Sequence, residues 1–164
     1  MTTYAEMYTE ILARVSEMQI DALNTLAPSG VDSKPYFPYR GQEDYPFWIN
    51  RLGTATYTNE EYGMDLLHIT RQISMRLVVG NVTSGYDGEL QTRLNGFIGA
   101  FVPYISQKSY AWLQTDTYPV PMQYLDQEIR IVSDTGIILF NNGGTENLQL
   151  GIEFVVELEL TIKV

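Results

Sequence analysis

An α+β fold is what this sequence predicts: an antiparallel β-sheet packed by an N-terminal helix and a central helix. Three patterns carry that expectation. Apolar residues recur with helical spacing near the N-terminus and again mid-chain, and they alternate clearly with polar ones over 67–79 and 150–164. The 164 residues suit one domain, 1–164, at the usual ~100–200 residues per domain.

The first element is a helix over 4–26. Tyr4, Met7, Tyr8, Ile11, Leu12, Val15, Met18, Ala22, Leu23 and Leu26 keep to one helical face, and Pro28 and Gly30 stop it. Glu6 and Glu10 complement the helix dipole at its start, so a structural role suffices for both carboxylates. An arm follows at about 27–46, where Pro28, Pro35, Pro38 and Pro46 are interleaved with Tyr36, Phe37, Tyr39 and Tyr45. Neither a helix nor a central strand tolerates that proline density, so an extended segment lying over this domain or a neighbouring subunit is expected.

Strands come next. Phe47 to Leu52 opens one that continues through Thr58 despite Gly53. In 67–79, Leu67, Ile69, Ile73, Met75, Leu77 and Val79 share a face opposite His68, Thr70, Gln72, Ser74 and Arg76. Arg71 interrupts the apolar face and is expected to pair with a carboxylate there. Ser84 and Asp87 match a capping box for the central helix, 87–102, and Leu90, Leu94, Phe97, Ile98, Phe101, Val102 and Ile105 make the apolar stripe. Pro103 should kink or end that helix, and Ser106 to Asp126 reads as a linker or large loop. Two apolar runs in 128–140 flank Ser133-Asp134-Thr135-Gly136, which reads as a turn, and Asn141-Asn142-Gly143-Gly144 is a second turn signal.

The last strand has the clearest pattern. Leu150, Ile152, Phe154, Val156, Leu158, Leu160, Ile162 and Val164 fall on one face, and Glu153, Glu157, Glu159, Thr161 and Lys163 on the other. A slip of one residue would exchange the faces, so its register should be strongly fixed. It is far longer than the common ~5–6 residues, and a strand of that length can reach beyond its own domain.

Composition narrows the function. With 20 Asp+Glu against 10 Lys+Arg the net charge is −10, the wrong sign for counterion-release binding to DNA or for adherence to an anionic membrane. No apolar run reaches the ~18–20 residues of a spanning helix, and the acidic N-terminal segment has no signal-peptide pattern. The absence of cysteine excludes disulfides, thiolate metal sites and cysteine nucleophiles. Charged residues are 18%, below the usual ~25%, while Tyr alone numbers 12. Such a surface suits coverage by a partner, and it equally suits a tyrosine-rich sheet with none.

Chemical motifs are sparse. His68 is the only histidine and lies on a polar strand face without a nucleophile elbow. No metal-ligand spacing occurs, and no cofactor or metal is expected. Glu153, Glu157 and Glu159 form a carboxylate row in which 157 and 159 lie ~7 Å apart along the strand at ~3.4 Å per residue. A small acid hydrolase using Glu157 and Glu159 is one alternative, and a solvated strand face is the simpler one. The expectation is a protein that is not an enzyme.

Four segments stand out in the order of elements: Phe47-Trp48-Ile49 with Arg51, Met75-Arg76-Leu77-Val78-Val79-Gly80, Gly85-Tyr86-Asp87-Gly88-Glu89 and Gly151-Ile152-Glu153-Phe154. With that order of elements, the chain resembles the tail terminator (minor tail) proteins of long-tailed bacteriophages. The likeness spans most of the chain, while 109–127 match nothing in the pattern. The resemblance implies a virion protein, assembled in the host cytoplasm, whose ring of six subunits caps the tail tube and meets the neck or head-completion protein. DNA would pass through without specific binding. Neck, head-closure and tail-tube subunits of the same virion are alternatives. The low charge, the aromatic arm and the long last strand predict a homo-oligomer, with Tyr36, Phe37, Tyr39, Phe47, Trp48 and Arg51 in the subunit contact. Glu153, Glu157 and Glu159 are the candidate acidic row facing the lumen.

Overall fold

The computed structural model describes residues 6–26, 34–36, 47–59, 66–82, 88–114, 124–141 and 148–163. In chain order they form α1 (Met7–Leu26), β1 (Lys34–Tyr36), β2 (Phe47–Asn59), β3 (Leu66–Val82), α2 (Gly88–Gln114), β4 (Tyr124–Asp134), β5 (Ile138–Asn141) and β6 (Leu148–Lys163). The strands make one sheet in the order β1-β2-β3-β6-β4, with β5 also on β6. All pairings are antiparallel except β1 with β2. This is the expected α+β fold, with both helices on one face of the sheet.

The period of two in β3 and β6 decides which side chains meet those helices. Ile69, Ile73, Met75 and Leu77 of β3 stand opposite Leu160, Val156, Phe154 and Ile152 of β6, and all eight are buried. From α1 come Met7, Ile11, Val15, Met18 and Ala22, and from α2 Phe97, Phe101 and Ile105. Trp48 sits among Phe97, Phe101 and Phe154 with ring centroids 6.5, 5.4 and 6.3 Å away, so one aromatic cluster joins β2, α2 and β6. Gly151 is needed at the β3 contact: a Cβ there would lie 2.1 Å from the Leu77 carbonyl oxygen.

One polar group of this inward face is specific. Asn50 is buried among the apolar residues and exchanges two amide hydrogen bonds with Gln19 of α1, at 2.8 and 2.9 Å. Asn50 also donates to Ser16 Oγ at 3.4 Å, which in turn donates to the Leu12 carbonyl. The amides satisfy each other, so burial costs little while the pair pins α1 to one position along β2.

Four expectations are corrected. The central helix runs through Pro103 to Gln114. Pro103 is exposed, while Ile105 beyond it is fully buried, and burying such a side chain (~1.5–3 kcal/mol) offsets much of the ~3 kcal/mol that an interior proline costs. Ser106 to Asp126 is therefore not one loop: helix occupies its first part and β4 begins at Tyr124. Ser133 to Gly136 makes a bulge, not a turn. Asp134 and Ile138 face Phe154 and Gly151 of the same strand, so β4 and β5 are one edge interrupted by an extra residue. Gly136 has a φ of 65°, its N–H donates to Asp134 Oδ1 at 2.8 Å, and Thr135 keeps two hydrogen bonds to the Glu153 backbone. Finally, β6 has no spare length, since β3 pairs with it from Lys163 to Leu148 and β4 with β5 occupy its other side.

Of the arm at 27–46 the structure describes only Lys34–Tyr36, whose backbone pairs in parallel with Phe47–Ile49. The capping box at Ser84 and Asp87 and the turn after Asn141 lie outside the described residues.

Phe154→Ala is expected to lower unfolding free energy by ~3–5 kcal/mol in urea titration. Asn50→Leu alone should cost ~1–3 kcal/mol, because the Gln19 amide is left buried without its partner. The double variant Asn50→Leu/Gln19→Met should recover most of that loss, and a second variant no more stable than the single one would mean that the amides are not coupled.

Candidate functional site

Among the described residues, no helix covers the second face of the sheet. Its side chains follow from register: His68, Thr70, Gln72, Ser74 and Arg76 of β3 alternate with the core residues, and Thr161, Glu159, Glu157, Val155 and Glu153 of β6 stand across from them. Arg51, Thr56 and Thr58 of β2 continue the face on one side and Arg130 of β4 on the other. At one end Phe47, Val78 and Phe140 are buried.

The carboxylate row is not bare. Arg76 binds Glu153 at 2.9 Å, and Arg130 binds Glu157 and also Glu159, the latter at 3.3 Å. Arg51, exposed, adds a third guanidinium to this face. Among the described side chains the three glutamates of the row are each engaged by an arginine, Arg76 or Arg130, so the row does not present bare carboxylates. Glu157 and Glu159 share one guanidinium on an open sheet, which engages both as hydrogen-bond acceptors. His68 Nδ1 lies 3.0 Å from Thr161 Oγ1. No three His, Asp or Glu side chains gather among the described residues as a metal ion requires, and no described helix is long and apolar enough to cross a membrane.

The predicted contact residues divide. Trp48 has no exposed surface and Phe47 only 8%, so both belong to the chain's own interior and neither lines a subunit contact. Aromatic residues beside a proline-rich arm looked like anchors for a neighbour, but β2 starts at Phe47 and turns Trp48 directly onto α2. Arg51 is exposed, Tyr36 pairs through its backbone in β1, and Phe37 and Tyr39 lie outside the described residues. Arg71 departs from expectation too: its hydrogen bonds go to the Gly53 carbonyl and the Tyr57 hydroxyl, with no carboxylate among its described partners.

Exposed apolar side chains occur instead at the two borders of the sheet. Leu52 and Tyr57, 40% and 56% exposed, lie on β2 beyond the Phe47–Ile49 stretch that β1 pairs, where β2 is the border among the described residues, while Val132 and Leu139, 45% and 42% exposed, lie on the β4–β5 border. Sequence pattern did not single these out, because isolated apolar residues are normal on any surface. Only the strand order puts them on opposite borders. Each border also has a bulge, between Leu52 and Ala55 on β2 and around Thr135 on the other. Bulges blunt an edge against continuous strand pairing, leaving side chains as the available contact.

On the adjacent strands β2, β3 and β6, Phe47 faces Val78, which faces Gly151, and Trp48, Leu77 and Ile152 form the next row. Compared with known proteins, the chain matches no protein-family model and no curated protein.

Arg130→Gln is expected to cost under ~1 kcal/mol and progressively less as salt is raised, since Arg130 is 52% exposed. Arg76→Gln should cost more and depend less on salt, because Arg76 and Glu153 are only 20% and 22% exposed and the guanidinium covers the Phe140 ring at 4.0 Å. Urea titrations at low and high salt compare the two.

Proposed function

We propose that this chain is a structural, non-enzymatic subunit that assembles with copies of itself into a closed ring, and that the ring is the terminator of a long-tailed phage tail, capping the tail tube and meeting the neck. The observation that carries the ring is the pair of unlike borders, Leu52 with Tyr57 and Val132 with Leu139, each exposing two large apolar side chains. Head-to-tail contact between unlike surfaces closes into a ring when the rotation per subunit is right. Helices on one face leave the polar face, with its Arg–Glu pairs, free to line an interior. A wall in which arginines are matched by glutamates holds no net positive charge with which to retain phosphates, which suits DNA in transit. The sequence resemblance and the convergence of its Phe47, Val78 and Gly151 segments in one sheet support the terminator position.

The test uses both borders. Leu52→Glu and Val132→Glu change exposed residues, so each should fold with stability within ~0.5 kcal/mol of the parent. Each alone should fail to form rings in sedimentation velocity, and mixing the two should yield a dimer with one intact junction. A parent that stays monomeric at high concentration and fails to bind isolated tail tubes overturns the proposal. A ring that binds head connectors or stacks on itself, without capping tubes, moves it to the neck or tube position.

A further inference from the structure

Arg76 and Arg71 stand on the same strand and use one part of the guanidinium differently. The Nε and Nη2 hydrogens point the same way and form the edge that a carboxylate can take side-on. On Arg76 that edge is filled, Nε donating to Glu153 Oε2 at 3.0 Å and Nη2 to the same oxygen at 2.9 Å. On Arg71, Nη2 donates to the Tyr57 phenol oxygen at 2.7 Å and Nη1 to the Gly53 carbonyl at 2.9 Å, while Nε is buried and has no acceptor. The guanidinium lies over the Tyr8 ring, 4.7 Å from its centroid, and the Tyr8 hydroxyl is likewise buried without a partner. Two unmet donors therefore accumulate around one cation in a chain that carries 20 Asp+Glu.

We propose that the Nε–Nη2 edge of Arg71 is a carboxylate-binding site and that Tyr57 is the group a carboxylate displaces. The phenol oxygen already accepts from Nη2, and a carboxylate that takes over that bond on the Nε side meets Nη2 and Nε together. Tyr57 is 56% exposed, so its ring can swing into solvent without unpacking the core. A guanidinium edge prefers a planar, charged, two-oxygen acceptor to a neutral phenol. The site adjoins the Leu52 and Tyr57 border, so an acidic side chain of a second copy is one source of the carboxylate, a source that rests on the ring. A small free carboxylate is the other and does not depend on it.

The experiment follows the Arg71 Nε–Hε resonance of the nitrogen-15-labelled full chain while sodium glutarate is added, against sodium chloride of equal ionic strength. Glutarate should move the resonance saturably and chloride should not. Tyr57→Phe, which removes the competing phenol, should tighten glutarate binding roughly 2- to 10-fold, the worth of one neutral hydrogen bond. If raising the protein concentration alone moves the same resonance, and glutarate then shifts sedimentation toward lighter species, the carboxylate comes from a second copy. A monomer whose Arg71 resonance responds to glutarate retains the site and removes the ring. A resonance that glutarate leaves in place, or that chloride moves equally, overturns the site even in a chain that forms rings.

Discussion

The register between β3 and β6 is the constraint on which the rest of the molecule depends. These two central strands run antiparallel from Leu66 opposite Lys163 to Val82 opposite Leu148, and with a period of two every pairing also fixes a face. Met75 beside Phe154 and Leu77 beside Ile152 give α1 and α2 their apolar floor, while Arg76 beside Glu153 and Gln72 beside Glu157 give the other side its polar surface. Sliding by one residue would turn four buried aliphatic rows outward and bring the glutamates beneath the helices. Gly151 reinforces the choice, since only a residue without Cβ fits against the Leu77 carbonyl at that row.

Much of this was legible because alternation and helical spacing are local properties. The faces of β3 and β6 and the stripe of α1 follow from where apolar residues recur, and among the described residues Met7, Ile11, Val15, Met18, Ile73, Met75, Phe154 and Val156 are buried as that pattern requires, while Tyr8, Leu12 and Leu67 are half-buried. What was not legible depended on partners remote in sequence. Asp134 and Gly136 have the chemistry of a turn, and that same chemistry makes a bulge when the chain on both sides pairs with one neighbour, which only β6 reveals. Pro103 has a local penalty, and how far the burial of Ile105 beyond it offsets that penalty is a tertiary fact. Trp48 looked like a surface anchor because the aromatic cluster that encloses it is drawn from α2 and β6. In the candidate site, the glutamates were legible as a row, but their arginine partners come from two other strands and change what the row presents.

Two kinds of polar contact divide the labour in this sheet. The Gln19–Asn50 amide exchange is sealed from water, where an unmade bond is costly, so it selects one seating of α1. The Arg130 pair with Glu157 and Glu159 is solvated and screened, contributing little to stability while setting the charge pattern that any partner encounters. Arg71 belongs to neither kind, because its hydrogen bonds are to neutral oxygens and its Nε has none.

The central position of β6 also has a consequence for biosynthesis. It follows the other five described strands, yet it lies between β3 and the β4–β5 border. While the polypeptide is emerging from the ribosome, β3 and β4 have no middle strand to share, and each presents an unpaired apolar edge. Insertion of β6 closes both gaps in one late, long-range step, the kind of event that contact order makes slow. Nascent chains halted before Leu148 would thus be the aggregation-prone species, and the cell's folding machinery has most to guard during that interval.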